Sequence, residues 1–420
     1  MERTRARYGK RFTTRFPLAP PFVILSDPEE IKEVFTAPAD VLHPGEGARV
    51  LEPVVGSNSV ILLDGDAHMS QRKLMLPAFH GEKMERLRGL MEDVADRDVA
   101  GWPRGEAIEL QERFQRLTLE IILRAVFGLD PGPRLDALRS KLSALLSFGD
   151  RPISLVPIDP DSALGRVLDG LPPFAGYLRE RDEADALIFE LIDERRNGEE
   201  VRDDVLTMLL AARHEDGLPM SDDELRDELM TLLVAGHETT ASSLSWGFEQ
   251  VIRLPEVLER LREEMDAGDD DAYLTATIQE TLRRRPVLPT AAPRLVKRPI
   301  EVGGWEYPPG VCLVPGTYLV HHDPEIYDDP YAFRPQRFLD SSPGTYTWIP
   351  FGGGRRRCLG ASFAMLEMQV VLRSVLAACD VSPAEPGHEP VRRRNITVRP
   401  GRGSRVVVSS RRETPVPAAA

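Results

Sequence analysis

The sequence predicts a mainly α protein with a small β region. Three observations carry that expectation. Helical periodicity runs through most of the chain, one apolar helix is long enough to cross the molecule, and the β signals are short and scattered. At 420 residues, 42% hydrophobic and 29% charged, the chain can bury a large core and has the balance of a soluble globular protein. No internal repeat or long linker divides it, so residues 1–410 read as one domain and 411–420 as a disordered tail.

Arg11 to Ser26 reads as two short strands around the turn cluster Pro17 to Pro21. Asp27-Pro28-Glu29-Glu30 then opens a helix, with a capping residue, a proline at the first position and acids in the first turn. Further helical patterns run from Gly81 to Asp98, Gln111 to Phe127, Pro133 to Leu146, Pro173 to Arg195 and Arg202 to Arg213. The long helix is expected from Ser221 to Leu254, opened by a Ser221–Glu224 capping box and stopped by Pro255. At ~1.5 Å per residue it would approach ~50 Å. Its middle, Leu229 to Leu244, is apolar around most of its circumference and belongs in the core. Another helix covers Tyr273 to Arg285. Strand signals return from Ile300 to Leu319, from Arg394 to Val398 and from Arg405 to Ser409. Between them a glycine-rich loop, Phe351 to Gly360, leads into an apolar helix from Ala361 to Ala378.

A formal net charge of −14 argues against non-specific nucleic-acid binding, which wants a basic surface. Cys312, Cys358 and Cys379 are too few and too irregularly spaced for a disulfide framework or a structural zinc site, which fits a reducing, cytoplasmic compartment. His237, His321 and His322 lack the helical spacing and acid partner of a zinc site. No uninterrupted apolar run reaches the roughly 18 residues of a membrane span. The opening Met1-Glu2-Arg3-Thr4-Arg5 leads into no apolar stretch of signal-peptide length. A soluble cytoplasmic protein is expected.

The chemistry concentrates in Pro350-Phe351-Gly352-Gly353-Gly354-Arg355-Arg356-Arg357-Cys358-Leu359-Gly360. Here a cysteine ends a glycine loop just before a helix, where backbone N–H groups can stabilise a thiolate. An unpaired cysteine is more commonly buried and inert, the reading that suits Cys312 and Cys379. In the long helix, Ala235-Gly236-His237-Glu238-Thr239-Thr240 combines small residues, which permit close approach of a planar cofactor, with an acid and an alcohol fit to relay protons. The plain alternative is a threonine bonded back to the preceding turn beside a solvated carboxylate.

The pattern Phe351-x-x-Gly354-x-Arg356-x-Cys358-x-Gly360 resembles the haem-binding signature of the cytochromes P-450, and the likeness runs from the Arg11 strand region to about Ser410. It implies the cytochrome P-450 fold. It also implies haem b ligated by Cys358, with Phe351, Gly352 and Gly360 shaping the loop and Ala235 and Gly236 beside the cofactor. Glu238 and Thr239 match the oxygen-activation motif. His68 and Arg72, four apart on one helical face, together with Arg294 and Arg356, match donors to the haem propionates. Glu280-Thr281-Leu282-Arg283 and Arg337 resemble the family's structural Glu–Arg–Arg trio, with Gln336 where glutamate is common. By the same analogy Thr231, Val234, Ala235, Val287, Leu288, Thr290, Ala291 and Ala292 line a distal pocket. Family members commonly carry a proline-rich lead-in or an anchor before the first strand, whereas here Met1 sits almost on it.

The resemblance therefore implies a monomeric haem-thiolate monooxygenase that uses O2 and hydroxylates a small hydrophobic substrate such as a fatty acid, terpene or steroid. With no flavin- or nicotinamide-binding stretch after the haem region, electrons are expected from a separate ferredoxin or flavodoxin and its reductase. Arg355 and Arg357 are candidates for docking an acidic partner. The rival readings are a peroxide-driven haem enzyme or isomerase, and a non-enzymatic haem sensor or carrier.

Overall fold

Helices begin where a side chain can take up the free N–H groups of a first turn. The computed structural model describes every residue except 17–18, 80, 148–173, 199–201, 269 and 411–420. The expected tail and the expected helix start at Pro173 lie outside the described residues. Counting helices of seven residues or more, α1 (Glu2–Tyr8) precedes the strands β1 (Arg11–Thr14) and β2 (Phe22–Leu25). Asp27 then caps α2 (Pro28–Thr36) by accepting the Glu29 N–H at 3.0 Å. There follow β3 (Leu42–His43), α3 (Gly65–Met75), α4 (Glu82–Ala100), β4 (Ala107–Glu109), α5 (Leu110–Phe127) and α6 (Pro133–Ser147). After them come α7 (Phe174–Asn197) and α8 (Val205–Ala211), the latter capped by Asp204, which accepts the Thr207 N–H at 2.7 Å.

The long helix is α9 (Asp222–Val251), and its capping box is present: Ser221 Oγ accepts the Glu224 N–H at 3.2 Å while the Glu224 carboxylate accepts the Ser221 N–H at 2.8 Å. It ends at Val251, short of the predicted Leu254. Pro255 takes the first position of a further helix, α10 (Pro255–Ala267), where a missing N–H costs nothing. The remaining elements are α11 (Ala272–Arg284), β5 (Arg294–Val296), β6 (Ile300–Val302), β7 (Trp305–Tyr307), β8 (Cys312–Pro315), α12 (Ala361–Ala378), β9 (Cys379–Pro383), β10 (Val391–Arg394), β11 (Thr397–Pro400) and β12 (Arg405–Ser410).

Two predicted strands break into smaller pieces. Gly303 and Gly304, at φ 57° and 75°, make a two-residue turn that splits the 300–319 run into the β6–β7 hairpin, β8 and a short helix, Thr317–His321. The 394–398 run is likewise a hairpin: Asn395 adopts φ 50°, so Arg394 and Thr397 face each other as the closing pair of β10 and β11. The main sheet has the order β1-β2-β8-β5-β3, with β2 and β8 parallel and the other pairs antiparallel. A second sheet, β4-β12-β9, joins the two halves of the chain.

α9 runs through the principal core, packed most extensively on α5, and α12 packs on α4. Leu229, Leu233, Leu244 and Phe248 of α9 are fully buried among Phe114, Ile121 and Val126 of α5. α12 has the length and composition of a membrane span, yet more than half of it is buried in this core. Together α9 and α12 place the motif at its middle and the cysteine loop within one interior.

Candidate active site

Three consecutive glycines shape the loop. Gly352 (φ 67°) and Gly354 (φ 62°) hold a backbone conformation that side chains rarely adopt. A Cβ on Gly353 would lie 2.4 Å from the Phe35 ring, and one on Gly354 would lie 2.1 Å from the Phe35 carbonyl oxygen. The loop is thus pressed onto the end of α2. It then turns back, with the Cys358 N–H donating to the Phe351 carbonyl at 2.9 Å just before α12. The Cys358 side chain is accessible, although the surrounding protein still desolvates the thiol. Ala235, at the centre of α9, is accessible in the same way. Burial pushes the Cys358 thiol up, while the Gly360 N–H and the charges of Arg72 and Arg357 oppose it. Cys312 has no such counterweights, and burial alone carries it to about 11.

Around the same loop stands a group of donors from α3, β5 and the loop itself. His68 on α3 is held neutral, down to about 3, by burial and then by the charges of Arg356 and Arg72. Arg294 at the start of β5 is 4% exposed, and burial together with repulsion from Arg356 brings it to about 9. Arg356 falls to about 10, burial outweighing the help of Asp64. Among the described residues, Asp64 is the one carboxylate paired with this group, 2.6 Å from an Arg356 Nη, and neither Arg72 nor Arg294 meets an acid. Buried like charges are costly unless an anion completes them. A pocket at this end is lined by Phe35, Asp64, His68, Met69, Arg294 and Arg356. The expectation for Arg356 is modified by its bonds. Its Nη groups donate to the carbonyls of Val60 (3.1 Å), Ile61 (3.3 Å) and Leu63 as well as to Asp64, so much of its hydrogen bonding braces the 58–64 segment.

That segment is also tied to α9. Asp227 accepts from the Asn58 N–H at 2.9 Å, Glu228 accepts from the Val60 N–H at 2.7 Å, and Thr231 shares a 2.6 Å bond with Ser59. The Thr231 hydroxyl also donates toward the Asp227 carbonyl at 2.6 Å, and its side chain is buried. Its hydroxyl is therefore committed to Ser59 and the helix backbone. At Gly236 a Cβ would meet Ile122 Cδ1 at 3.0 Å, a tight approach of α9 to α5, whereas Ala235 is accessible.

Thr239 donates to the Ala235 carbonyl at 2.6 Å, the back-bonded arrangement, and keeps an accessible side. Glu238 points elsewhere: one carboxylate oxygen lies 3.4 Å from Arg394 Nε and 3.2 Å from the Thr397 hydroxyl. In the expected pocket wall Val287 is buried, Leu288, Thr290 and Ala291 are half-buried and Ala292 is accessible. Val234 on α9 is half-buried.

The Glu280–Arg283–Arg337 trio is assembled as expected. Arg283 binds both Glu280 oxygens at 2.6 and 2.8 Å, and Arg337 Nε reaches the same carboxylate at 3.4 Å. Arg283 also donates to the carbonyls of His321, Pro330 and Ala332. From His321 the support continues, for its Nε2 accepts the Ile349 N–H at 2.9 Å, close before the cysteine loop.

Sequence reasoning misses Glu367, fully buried on α12, with neither carboxyl oxygen hydrogen-bonded by strict geometry. Burial pushes its carboxyl well up, and Thr240 is its polar neighbour. A lone acid in the apolar run after Cys358 was the available signal. For Arg394 and Thr397 there was none, since Thr397 stands 159 positions from Glu238.

An accessible thiol near Arg72, in a loop whose Arg356 lies by His68 and Arg294, fits a planar iron-bearing group with carboxylate arms. Fold and site together define a haem-thiolate protein. The family model for cytochrome P450 matches residues 1–404. Cytochrome P450 135B1 of Mycobacterium tuberculosis is 39% identical over 97% of this chain and 86% of its own length. Cytochrome P450 138 of Mycobacterium bovis is 38% identical over 96% and 90%. The solved cyanobacterial CYP120A1 with bound retinoic acid superposes with TM-score 0.82 at 24% identity, covering 97% of this chain and 93% of that one. The cytochrome P450DA haem domain gives 0.81 at 22%, covering 97% and 91%. The chain belongs to the cytochrome P450 family of haem-thiolate monooxygenases.

Proposed function

We propose that this protein hydroxylates a small hydrophobic substrate of fatty acid, terpene or steroid class, using O2 and two electrons from a separate ferredoxin or flavodoxin with its reductase. We also propose that residues 1–410 form one haem domain, cytoplasmic and monomeric. The observation that carries the reading is Cys358: accessible, near Arg72, and set in a loop whose Arg356 lies by His68 and Arg294. When bound, haem b supplies the activation of O2, which a thiolate ligand favours.

Cys358 would hold the iron of the bound group as its thiolate. Arg294, Arg72 and His68 bind the carboxylate arms, with Arg356 adding charge while it braces the 58–64 segment. Phe351, Gly352 and Gly360 keep the loop close to the sulfur, and Ala235 leaves room for a diatomic ligand. Thr239 Oγ1, its own proton on the Ala235 carbonyl, offers a hydroxyl for proton relay by rotation, and Glu238 is the acid that resupplies it. Val234, Val287, Leu288, Thr290, Ala291 and Ala292 exclude water and orient an apolar molecule. Arg355 and Arg357 are exposed on the loop and suit an acidic electron donor in an otherwise acidic chain.

Reduced protein treated with carbon monoxide is expected to show the red-shifted band of thiolate ligation, and Cys358→Ala to lose it. Retention of the band in that variant would overturn the reading. Thr239→Ala is expected to lower product formed per NADPH by about tenfold or more. Turnover with NADPH, reductase and ferredoxin, compared with turnover on peroxide alone, separates the monooxygenase from a peroxide-driven enzyme.

A further inference from the structure

The β10–β11 hairpin reaches from the end of the chain to the middle of α9. Its closing pair, Arg394 and Thr397, both meet Glu238. All three side chains are largely buried, at 9%, 8% and 16% exposure for Arg394, Thr397 and Glu238. The Thr397 hydroxyl has one proton and two acceptors within reach: the Arg394 carbonyl at 2.7 Å and the Glu238 carboxylate at 3.2 Å. A hydroxyl that gives its proton to the carbonyl still presents a lone pair to Glu238, so it can serve the ionised and the protonated acid alike. The other titratable and charged groups around this point are few. His237, on the same helix and close enough to feel the Arg394 charge, is kept neutral at about 4 by burial. Burial raises the Glu367 carboxyl on α12, against the opposing influence of Thr240. Arg399 lies two residues along β11 on the same strand face as Thr397.

The hairpin is in turn seated on the expected pocket wall. The Val398 N–H donates to the Val287 carbonyl at 2.9 Å, and Trp246 Nε1 of α9 donates to the Val398 carbonyl at 3.3 Å. At the tip Asn395 takes the left-handed conformation and Ile396 is left 42% exposed. Strand, wall and helix are thus pinned together at Val398, next to Thr397.

We propose that Arg394, assisted by Thr397, is the positioning residue for the Glu238 carboxylate, so that proton movement at Glu238 depends on how the C-terminal hairpin is seated. The assignment rests on the relay reading of Glu238 and Thr239. Because β11 hangs from Val287, an occupant that shifts the wall shifts the pair, which links filling of the pocket to release of the acid.

The test uses the haem-loaded enzyme with its electron donors, scoring product per NADPH against pH and the solvent isotope effect on that ratio. In the ligand-free protein, a double-mutant cycle on thermal stability is measured in parallel. Arg394→Met should lower coupling and move the midpoint of the pH profile upward by about one unit, since a nearby cation favours the charged carboxylate. Arg394→Lys should restore most of the profile. In a Glu238→Gln background, Arg394→Met should add nothing further to coupling, and the two changes should be non-additive in stability. A wild-type profile in Arg394→Met, or an equal shift with Glu238→Gln present, overturns the assignment while leaving the relay intact. Unchanged coupling in Glu238→Gln alone removes the relay, and the assignment with it. If Arg394→Met does not fold, Arg394→Lys and Thr397→Val decide: wild-type profiles in both overturn the assignment, and graded shifts support it.

Discussion

The network of Glu280, Arg283 and Arg337 and the group of His68, Arg72, Arg294 and Arg356 are both interior clusters rich in arginine. In the first, every strong donor finds an acceptor within the chain: Glu280 takes both arginines and the Arg334 N–H, and Arg283 spends its remaining N–H groups on three carbonyls. In the second, among the described residues one carboxylate, Asp64, pairs with the group, and burial depresses every basic side chain in it. The difference separates scaffolding from binding. A cluster that closes on itself holds the fold, and one left short of anions is shaped for something the chain does not supply.

The sharpest break of that contrast is Glu280→Ala, which strands the fully buried Arg283 without its acid. It should cost about 3–5 kcal/mol, read by denaturant unfolding of the ligand-free protein. Arg294→Met should do the opposite there, leaving ligand-free stability unchanged or slightly raised, because it removes a buried cation without an acid partner. The same variant should release haem to a competing apoprotein about tenfold faster, in line with the roughly 1.5–3 kcal/mol of a charged hydrogen bond. Equal destabilisation by the two substitutions would erase the distinction.

Acid titration sharpens it further. His68 binds its proton near 6.5 when unfolded and at about 3 when folded, so the unfolded chain takes up the proton first. Its contribution is therefore present above about 6.5 and is lost as pH falls from there toward about 3. His68→Gln should flatten that limb of the stability profile in the ligand-free protein. The smallest effect belongs to an ordinary surface pair, Lys73–Glu215, 3.0 Å apart with side chains 61% and 75% exposed. Lys73→Ala should change stability by less than about 1 kcal/mol, although the separation is close to that of Arg283–Glu280.

What the sequence made legible was whatever lies close together along it. The Asp27 cap, the Ser221 box, the cysteine loop and the Glu280–Arg283 spacing are all encoded within a few residues, and each is found as read. Pro255 misled because a proline that ends one helix can equally begin another. The 394–398 run misled because one asparagine in a left-handed conformation turns a strand into a hairpin. Thr231 and Gly236 matched the family pattern in position, but their surroundings come from Ser59 and Ile122, distant segments that no local pattern names. The same holds for the cation at Glu238, which arrives from the far end of the chain.

One property of α9 constrains everything built on it. It runs unbroken from Asp222 to Val251, so Glu228, which holds the 58–64 segment, and Thr239, which keeps an accessible side, are joined by rigid backbone. Eleven residues of helix fix them ~16 Å apart and within about 20° of one face. The helix thus works as a ruler between two otherwise separate sites. A single residue inserted between them would swing one site about 100° away from its partners, a greater injury than any side-chain exchange along that stretch.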